Sequence, residues 1–143
     1  MKFFIDSSVI VEGFKNNICT IEIIKLLYEY IDSFELNFNV IVLSEVVYQL
    51  TYKRKFSIEE IQELFSPFRF LIVDEEVKEK ALWYMKIYSL KPNDALILAT
   101  CKRYGIKYLI SIDRKDFTVP CEKEGSRLID SAEKLKSFLG EYY

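Results

Sequence analysis

The chain has 143 residues, of which 50% are apolar, and a formal net charge of −2. This length suits a single domain, residues 1–143, with its own core, and the apolar content excludes intrinsic disorder. The small net charge excludes a strongly basic nucleic-acid-binding protein. No apolar run reaches the roughly 20 residues that span a bilayer. Because Asp6 comes too early for a signal peptide, we expect a soluble, cytoplasmic protein without membrane contact.

The reactive side chains are few in kind. Three cysteines, Cys19, Cys101 and Cys121, are widely spaced without a CxxC pair, which argues against a disulfide framework or a zinc site. The chain contains no histidine. This excludes imidazole as a base, acid or metal ligand, and with it the histidine-dependent triads. Acid–base and metal chemistry would therefore depend on carboxylates.

The first third of the chain predicts one strand and two helices. Contiguous apolar residues predict a buried strand over 2–6, which Asp6 ends. A short helix is predicted over 9–14 and an amphipathic helix over 19–30. The apolar run "LNFNVIVL" at 36–43 fits a strand or the approach to a helix equally well.

Helices and strands continue to alternate after that run. Ser44 is a typical N-cap, and it predicts a helix to about residue 53. Pro92 and Gly105 are typical of the two ends of another helix. The elements expected beyond Ser44 are helices over 44–53, 57–65, 75–88, 92–105 and 131–139, with strands over 70–73 and 107–112. This alternation predicts a three-layer α/β/α sandwich around a mostly parallel, twisted sheet.

Four acids occupy positions that such a fold would bring together. Asp6 and Asp113 follow predicted strands, while Glu45 and Asp94 are placed in the first turns of predicted helices. Strand carboxyl ends and helix N-termini meet at one edge of a parallel sheet, where ligands bind. Each acid alone has an ordinary explanation, as a turn residue or a partner of a helix dipole. Four together, all with apolar flanks, favour a shared cleft.

A cleft with several carboxylates needs protons or a cation to offset the repulsion between them. Oxygen ligands without histidine or cysteine select Mg²⁺ or Mn²⁺, whose coordination is often completed by phosphate. A divalent ion there would activate water and offset charge on a phosphorus centre. The acids therefore point to phosphodiester hydrolysis.

Five segments of the chain resemble the PIN domain family, which includes metal-dependent ribonucleases and the VapC-type toxins of toxin–antitoxin pairs. The opening "FIDSSVI" contains Asp6, "LSEVVYQL" contains Glu45, "DALILATCKRYG" contains Asp94 and "SIDRKDF" contains Asp113. The tail "RLIDSAEKLKSFL" is similar to the family's last strand and helix. The resemblance implies a sheet of about five strands, with further strands near 118–119 or 127–129.

The resemblance also implies a reaction and its residues. Asp6, Asp94 and Asp113 would bind one or two Mg²⁺ or Mn²⁺ ions, and Glu45 would bind metal or help to activate water. Cleavage of RNA would leave a 5′-phosphate and a 3′-hydroxyl. Asp116 is interpreted as a turn residue that packs beside Phe117. The alternative is that it substitutes for one of the four acids or lies just outside the direct metal ligands. The residues expected beside the substrate are Ser8, Ser111, Lys53, Arg54, Lys91 and Arg114, with Ser111 also orienting the metal site.

Three other readings remain open at this point. A haloacid-dehalogenase-like phosphatase would need an Asp where Ser8 stands, and a receiver domain would need an acidic pair at Asp6. A catalytically silent PIN-like scaffold, or a partner-binding protein, would keep the fold without the reaction. The expected partners are RNA, a cognate antitoxin and a second copy of the chain. The 21 Phe and Tyr residues suggest that homodimer, with Tyr48, Tyr52, Trp83 and Tyr84 as candidates for its face.

Overall fold

Five parallel strands form a single sheet in the computed structural model, which describes residues 1–140. The strands are β1 (Lys2–Ile5), β2 (Glu35–Asn39), β3 (Arg69–Leu71), β4 (Tyr108–Ile110) and β5 (Arg127–Ile129). Their order across the sheet is β3-β2-β1-β4-β5. The predicted α/β sandwich with about five parallel strands is confirmed.

Eight α-helices cover the sheet within the described residues. They are α1 (Ser7–Phe14), α2 (Ile18–Glu29), α3 (Val40–Val47), α4 (Ile58–Phe65), α5 (Glu75–Tyr88), α6 (Pro92–Arg103), α7 (Arg114–Lys123) and α8 (Ala132–Gly140). A 3₁₀ turn, Ile31–Ser33, precedes β2, and a π turn, Tyr48–Tyr52, continues α3. Because crossovers between parallel strands are right-handed, the strand order assigns α1–α4 to one face of the sheet and α5–α7 to the other. Contacts within each set agree, since α1 packs on α2 and α3, and α6 packs on α5 and α7, while α3 and α6 also contact each other. Helix α8 packs on α2.

The central strand β1 explains why its sequence is continuously apolar. Phe3, Phe4 and Ile5 are almost fully buried, because helices cover both faces of the sheet. β1 pairs with β2 on one side and with β4 on the other, with Phe4 opposite Asn37 and Leu109. The chain after β1 therefore emerges in the middle of the carboxyl edge of the sheet.

The structure resolves the ambiguous run at 36–43 and corrects the start of the next helix. The strand continues to Asn39, and α3 begins at Val40. The N-cap is Asn39, whose Oδ1 accepts the N–H groups of Ile41 at 3.1 Å and Val42 at 3.2 Å. The prediction that Ser44 caps this helix was therefore wrong. Glu45 lies in the second turn of α3, one turn later than expected.

Two further expectations change in the last third of the chain. The suggested strand near 118–119 was wrong, because these residues lie within α7, whereas the alternative at 127–129 is confirmed as β5. Helix α7 was not predicted at all. In the final connection, the N–H of Lys134 donates to Ser131 Oγ at 3.2 Å, which makes Ser131 the helix cap.

Several surface expectations can be compared with burial. Tyr84 is only 1% exposed, so its suggested place on a dimer face was wrong, whereas Tyr48, Tyr52 and Trp83 are exposed. All three cysteines are free thiols. Among residues 1–140, no helix combines the length and apolarity needed to cross a membrane.

Candidate active site at the carboxyl edge of the sheet

The site forms where the strand order reverses direction. The chain leaves β1 towards β2 on one side, and β4 later returns to the other side of β1. This topological switch point opens a crevice at the carboxyl ends of β1 and β4. The N–H of Asp6 donates to the carbonyl oxygen of Ile110 at 2.9 Å, so the residues that follow the two strands are neighbours.

Asp6 lies at the base of this crevice and is only 4% exposed. Its Oδ2 accepts hydrogen bonds from Ser8 Oγ at 2.7 Å and from Ser111 Oγ at 2.8 Å. Burial raises the pKa of Asp6, and the hydroxyls of Ser8 and Ser111 oppose this rise. Ser111 Oγ also accepts the N–H of Asp113 at 3.0 Å, which ties the loop after β4 to Asp6.

Three other carboxylates form a group of their own, and the charge of Asp6, which is not a member of that group, acts on two of them. Asp94, Asp113 and Asp116 each offer one oxygen, and the three oxygens lie within 4.8 Å of one another. Asp94 is in the first turn of α6, Asp113 caps α7, and Asp116 is in the first turn of α7. Burial raises the pKa of Asp94 to about 7, helped by the charges of Asp113, Asp6 and Asp116. Burial likewise raises the pKa of Asp113, with Asp116 and Asp6 adding repulsion and the N–H of Asp116 opposing.

Glu45 approaches the same crevice from α3. Its Oε1 accepts a hydrogen bond from Ser7 Oγ at 3.1 Å. Burial raises the pKa of Glu45 and the charge of Asp6 adds to the rise, while the side chains of Ser7 and Asn93 oppose it. Asp6 thus acts electrostatically on Glu45, Asp94 and Asp113.

The donor set of this cluster fits a hard divalent cation. Every ligand atom in the group of three is a carboxylate oxygen, and such oxygens are the ligands that Mg²⁺ and Mn²⁺ prefer. Burial and then the neighbouring carboxylates raise the pKa of Asp94, and a bound cation would favour its charged form against both. The geometry thus brings Asp94 and Asp113 together as expected. It also adds Asp116, which the sequence reading had set aside as a turn residue.

The sequence signal for Asp116 was present but weak. "DRKD" places Asp116 three residues after Asp113, and an N-cap acid and its N3 residue lie close together at a helix start. The N–H of Asp116 donates to Asp113 Oδ1 at 3.3 Å. Because the sequence did not predict a helix at 114–123, nothing in it indicated that Asp113 and Asp116 lie close together.

The basic residues expected at the rim have different surroundings. Lys53, Arg54 and Lys91 are exposed, and Lys53 Nζ lies 5.2 Å from the centroid of the Tyr48 ring. Arg114 instead bonds to Asp130, with its Nε 2.6 Å from Oδ2. Of the four, Arg114 therefore already has a carboxylate partner. Ser8 and Ser111, expected beside the substrate, both donate to Asp6.

A groove of about 490 Å³ extends from Glu45 along α1 and α3. Glu45 and the exposed ring of Tyr48 both line it, whereas the aspartates of the acidic site do not. Its lining residues are Ser7, Ser8, Val11, Glu12, Lys15, Ser44, Glu45, Tyr48 and Gln49.

Comparison with known proteins agrees with the fold. The sequence profile of the PIN domain matches residues 3–122. Ribonuclease VapC2 of Methanocaldococcus jannaschii is 32% identical over 130 residues, covering 78% of this chain and 85% of that protein. A DNA-bound VapBC structure from Salmonella typhimurium has a TM-score of 0.69 at 16% identity, covering 90% of this chain and 96% of that one. A toxin–antitoxin complex from Klebsiella pneumoniae has a TM-score of 0.67 at 21% identity, covering 82% and 92%. The chain belongs to the PIN domain family.

Proposed function

We propose that this protein is a metal-dependent endoribonuclease that hydrolyses RNA phosphodiester bonds, and that it is the toxin of a toxin–antitoxin pair. The observation that carries the proposal is the carboxylate cluster of Asp94, Asp113 and Asp116 beside buried Asp6. The relative in M. jannaschii bears the name of a ribonuclease, and the Klebsiella structure is a toxin–antitoxin complex. Membership of the PIN family argues against the phosphatase and receiver readings.

The metal in this proposal is Mg²⁺ or Mn²⁺. Asp6, Asp94 and Asp113 would hold it, and Asp116 joins them because its oxygen lies in the same group as those of Asp94 and Asp113. When bound, the ion supplies positive charge for the phosphate oxygens and lowers the pKa of a water in its shell. Ser8 and Ser111 fix the orientation of the Asp6 carboxylate through their hydrogen bonds.

Glu45 has the features of a proton acceptor in this reaction. Its burial and the charge of Asp6 raise its pKa, which makes its carboxylate a better base. Ser7 Oγ holds Oε1 at 3.1 Å and thereby limits its rotation. In the proposed step the water oxygen attacks phosphorus and Glu45 accepts the water proton. The bond between phosphorus and the 3′ oxygen breaks, and the departing 3′ oxygen takes a proton from solvent, which gives a 5′-phosphate and a 3′-hydroxyl.

RNA would be held along the edge of the site by exposed cations. Lys53, Arg54 and Lys91 are the candidates, since Arg114 is engaged with Asp130. Phosphate contacts of this kind release counterions, so binding should weaken as salt concentration rises. The free thiols of all three cysteines suit the proposed cytoplasmic location, where thiols stay reduced.

The test is an RNA-cleavage assay on a mixed RNA pool with Mn²⁺ and with EDTA, followed by mapping of the new ends. Asp94→Asn should abolish cleavage, because it removes a ligand with little change of shape. Asp74→Asn is the matched control, since Asp74 caps α5 and pairs with Arg103 instead of joining the carboxylate cluster. If folded wild-type protein and Asp94→Asn both leave the pool intact, the silent scaffold becomes the better explanation.

Two partners complete the proposal. A cognate antitoxin would be identified by copurification with the product of the neighbouring gene, and it should inhibit cleavage when added to the pure protein. A homodimer would appear in sedimentation velocity as a species of twice the chain's 17.0 kDa. A monomer over the whole concentration range would remove the dimer from the proposal without affecting the nuclease.

A further inference from the structure

A carboxylate and two aromatic rings follow one another along α3 and its π turn. Glu45, Tyr48 and Tyr52 are spaced by three and then four residues, which places them on one helix face. At about 1.5 Å rise per residue in α3, Tyr48 lies roughly 4.5 Å beyond Glu45 along the axis. Tyr52 follows at the end of the π turn, with its ring centroid 6.5 Å from that of Tyr48. The proposed active site is thus continued by a line of aromatic surface.

The two rings face solvent and lie nearly parallel. Tyr48 is 55% exposed and Tyr52 is 71% exposed. Their centroids are 6.5 Å apart, with an angle of 27° between the ring planes. The N–H of Lys53 donates to the carbonyl oxygen of Tyr48 at 3.3 Å, five residues back, which is the bond that defines a π turn. Such turns interrupt α-helices frequently at functional sites.

Cations lie beside these rings. Lys53 Nζ is 5.2 Å from the Tyr48 centroid, and Arg54 follows it in the exposed part of the chain. Lys15 lines the groove that Tyr48 shares with Glu45. Aromatic faces next to cations suit unpaired nucleotides, which offer a flat base and a phosphate in each unit.

We infer that Tyr48 and Tyr52 form a stacking platform for the bases of single-stranded RNA next to the cleaved phosphate. This rests on the proposed nuclease function, and it defines the substrate as RNA with unpaired bases at the cut. Stacked nucleotides are about 3.4 Å apart. The rings therefore accept bases about one to three nucleotides from the phosphate at Glu45. Base stacking tolerates different sequences, so the platform selects for unpaired structure more than for base identity.

The test separates binding from cleavage. Asp94→Asn protein in EDTA, which is not expected to cut, is titrated with a short single-stranded RNA that carries 2-aminopurine at successive positions. We expect the fluorescence to be quenched on binding at one to three positions next to the mapped cut. Adding Tyr48→Ala should remove the quenching and weaken binding about 5- to 160-fold, the range for loss of one stacking partner. Tyr48→Phe keeps the ring and should bind as before.

Trp83 provides the matched control for removing an exposed aromatic ring. It is 51% exposed with Lys86 Nζ 6.0 Å from its ring, but it lines a different groove with residues of α5. Trp83→Ala should leave RNA affinity unchanged. An RNA lacking the quenched base should bind wild type and Tyr48→Ala equally.

The outcomes distinguish failure of the inference from failure of the nuclease proposal. If Tyr48→Ala binds and quenches like Tyr48→Phe while the wild type still cleaves RNA, the platform is refuted and the nuclease stands. If quenching depends on Tyr48 but the wild type never cleaves, the rings bind RNA bases, while the nuclease fails and the place of the platform beside a cleaved phosphate fails with it. If Tyr48→Ala loses RNA only together with a dimer-to-monomer change in sedimentation, these rings form a dimer face instead and the inference is overturned.

Discussion

Raising the pH should destabilise the metal-free protein, because the acidic site keeps a proton on folding. The pKa of Asp94 is about 7 in the folded protein against 3.8 for the free side chain. Between these values the folded state holds a proton that the unfolded state has lost. The free energy of unfolding therefore falls as pH rises from about 4 to 7, and the stabilisation present at low pH is lost above the folded pKa. With no histidine in the chain, imidazole titration does not obscure this window.

The size of the effect follows from the pKa difference. A difference of about 3 corresponds to about 4 kcal/mol as an upper bound. The Asp94 side chain is partly exposed, so screening by water reduces this, and we expect a loss of about 2 kcal/mol between pH 4 and pH 8. Asp6, Glu45 and Asp113 contribute with the same sign, since their pKa values are also raised.

Urea unfolding in EDTA at a series of pH values measures this slope directly. Asp94→Asn should remove most of the fall in the free energy of unfolding with rising pH, and it should be more stable than the wild type at pH 8. Asp74→Asn should show the same fall with pH as the wild type. The N–H of Val77 lowers the pKa of Asp74, so this group titrates below the pH range in which Asp94 titrates. Mn²⁺ at a hundred times its Kd should add about 2.7 kcal/mol at pH 8, and less at pH 5, where protons compete. A flat or rising metal-free curve, or an unchanged slope in Asp94→Asn, would refute the reasoning.

Three further substitutions test separate parts of the site. Asn39→Ala removes the cap of α3 and the bond from Asn39 Nδ2 to Thr100 Oγ1 at 2.8 Å, and it should lower the free energy of urea unfolding by about 2 kcal/mol. Ser111→Ala removes a donor to Asp6 and should weaken Mn²⁺ binding about tenfold in calorimetric titration, with the fold retained. Asp116→Asn should also lower Mn²⁺ affinity, and unchanged affinity would return Asp116 to the role of a turn residue.

The sequence was sufficient where a pattern carried a single physical meaning. Phe3, Phe4 and Ile5 are contiguous, bulky and apolar, and only a strand covered on both faces hides all three at this length. That placement gave Asp6 its position at the edge of the sheet. Pro92 and Gly105 marked both ends of one helix, and the first turn of that helix then gave Asp94 its position.

The sequence was insufficient where a run of apolar residues crosses a boundary. "LNFNVIVL" is buried as a strand and then continues as a helix without Gly or Pro between them. Asn39 determines where the strand ends and the helix begins, because its side-chain oxygen accepts hydrogen bonds from the first N–H groups of α3. A Val or Ile at this position would have no side-chain oxygen to cap the helix. Ser44, followed by an acid, imitates the same signal five residues later. For α7 the obstacle was Pro120 inside the helix, a residue that ordinarily argues against one.

The electrostatics of the site bear on the choice between nuclease and silent scaffold. A scaffold needs only the fold, and the fold would be more stable with amides in place of carboxylates at Asp6 and Asp94, because burial disfavours their charged forms. Two serine hydroxyls nevertheless hold Asp6 in one orientation. Local destabilisation together with a fixed ligand orientation is typical of a site that gains its stability from a bound cation. A scaffold predicts that Asp94→Asn gains stability with or without Mn²⁺, whereas the nuclease predicts that this advantage disappears when Mn²⁺ is added at pH 8.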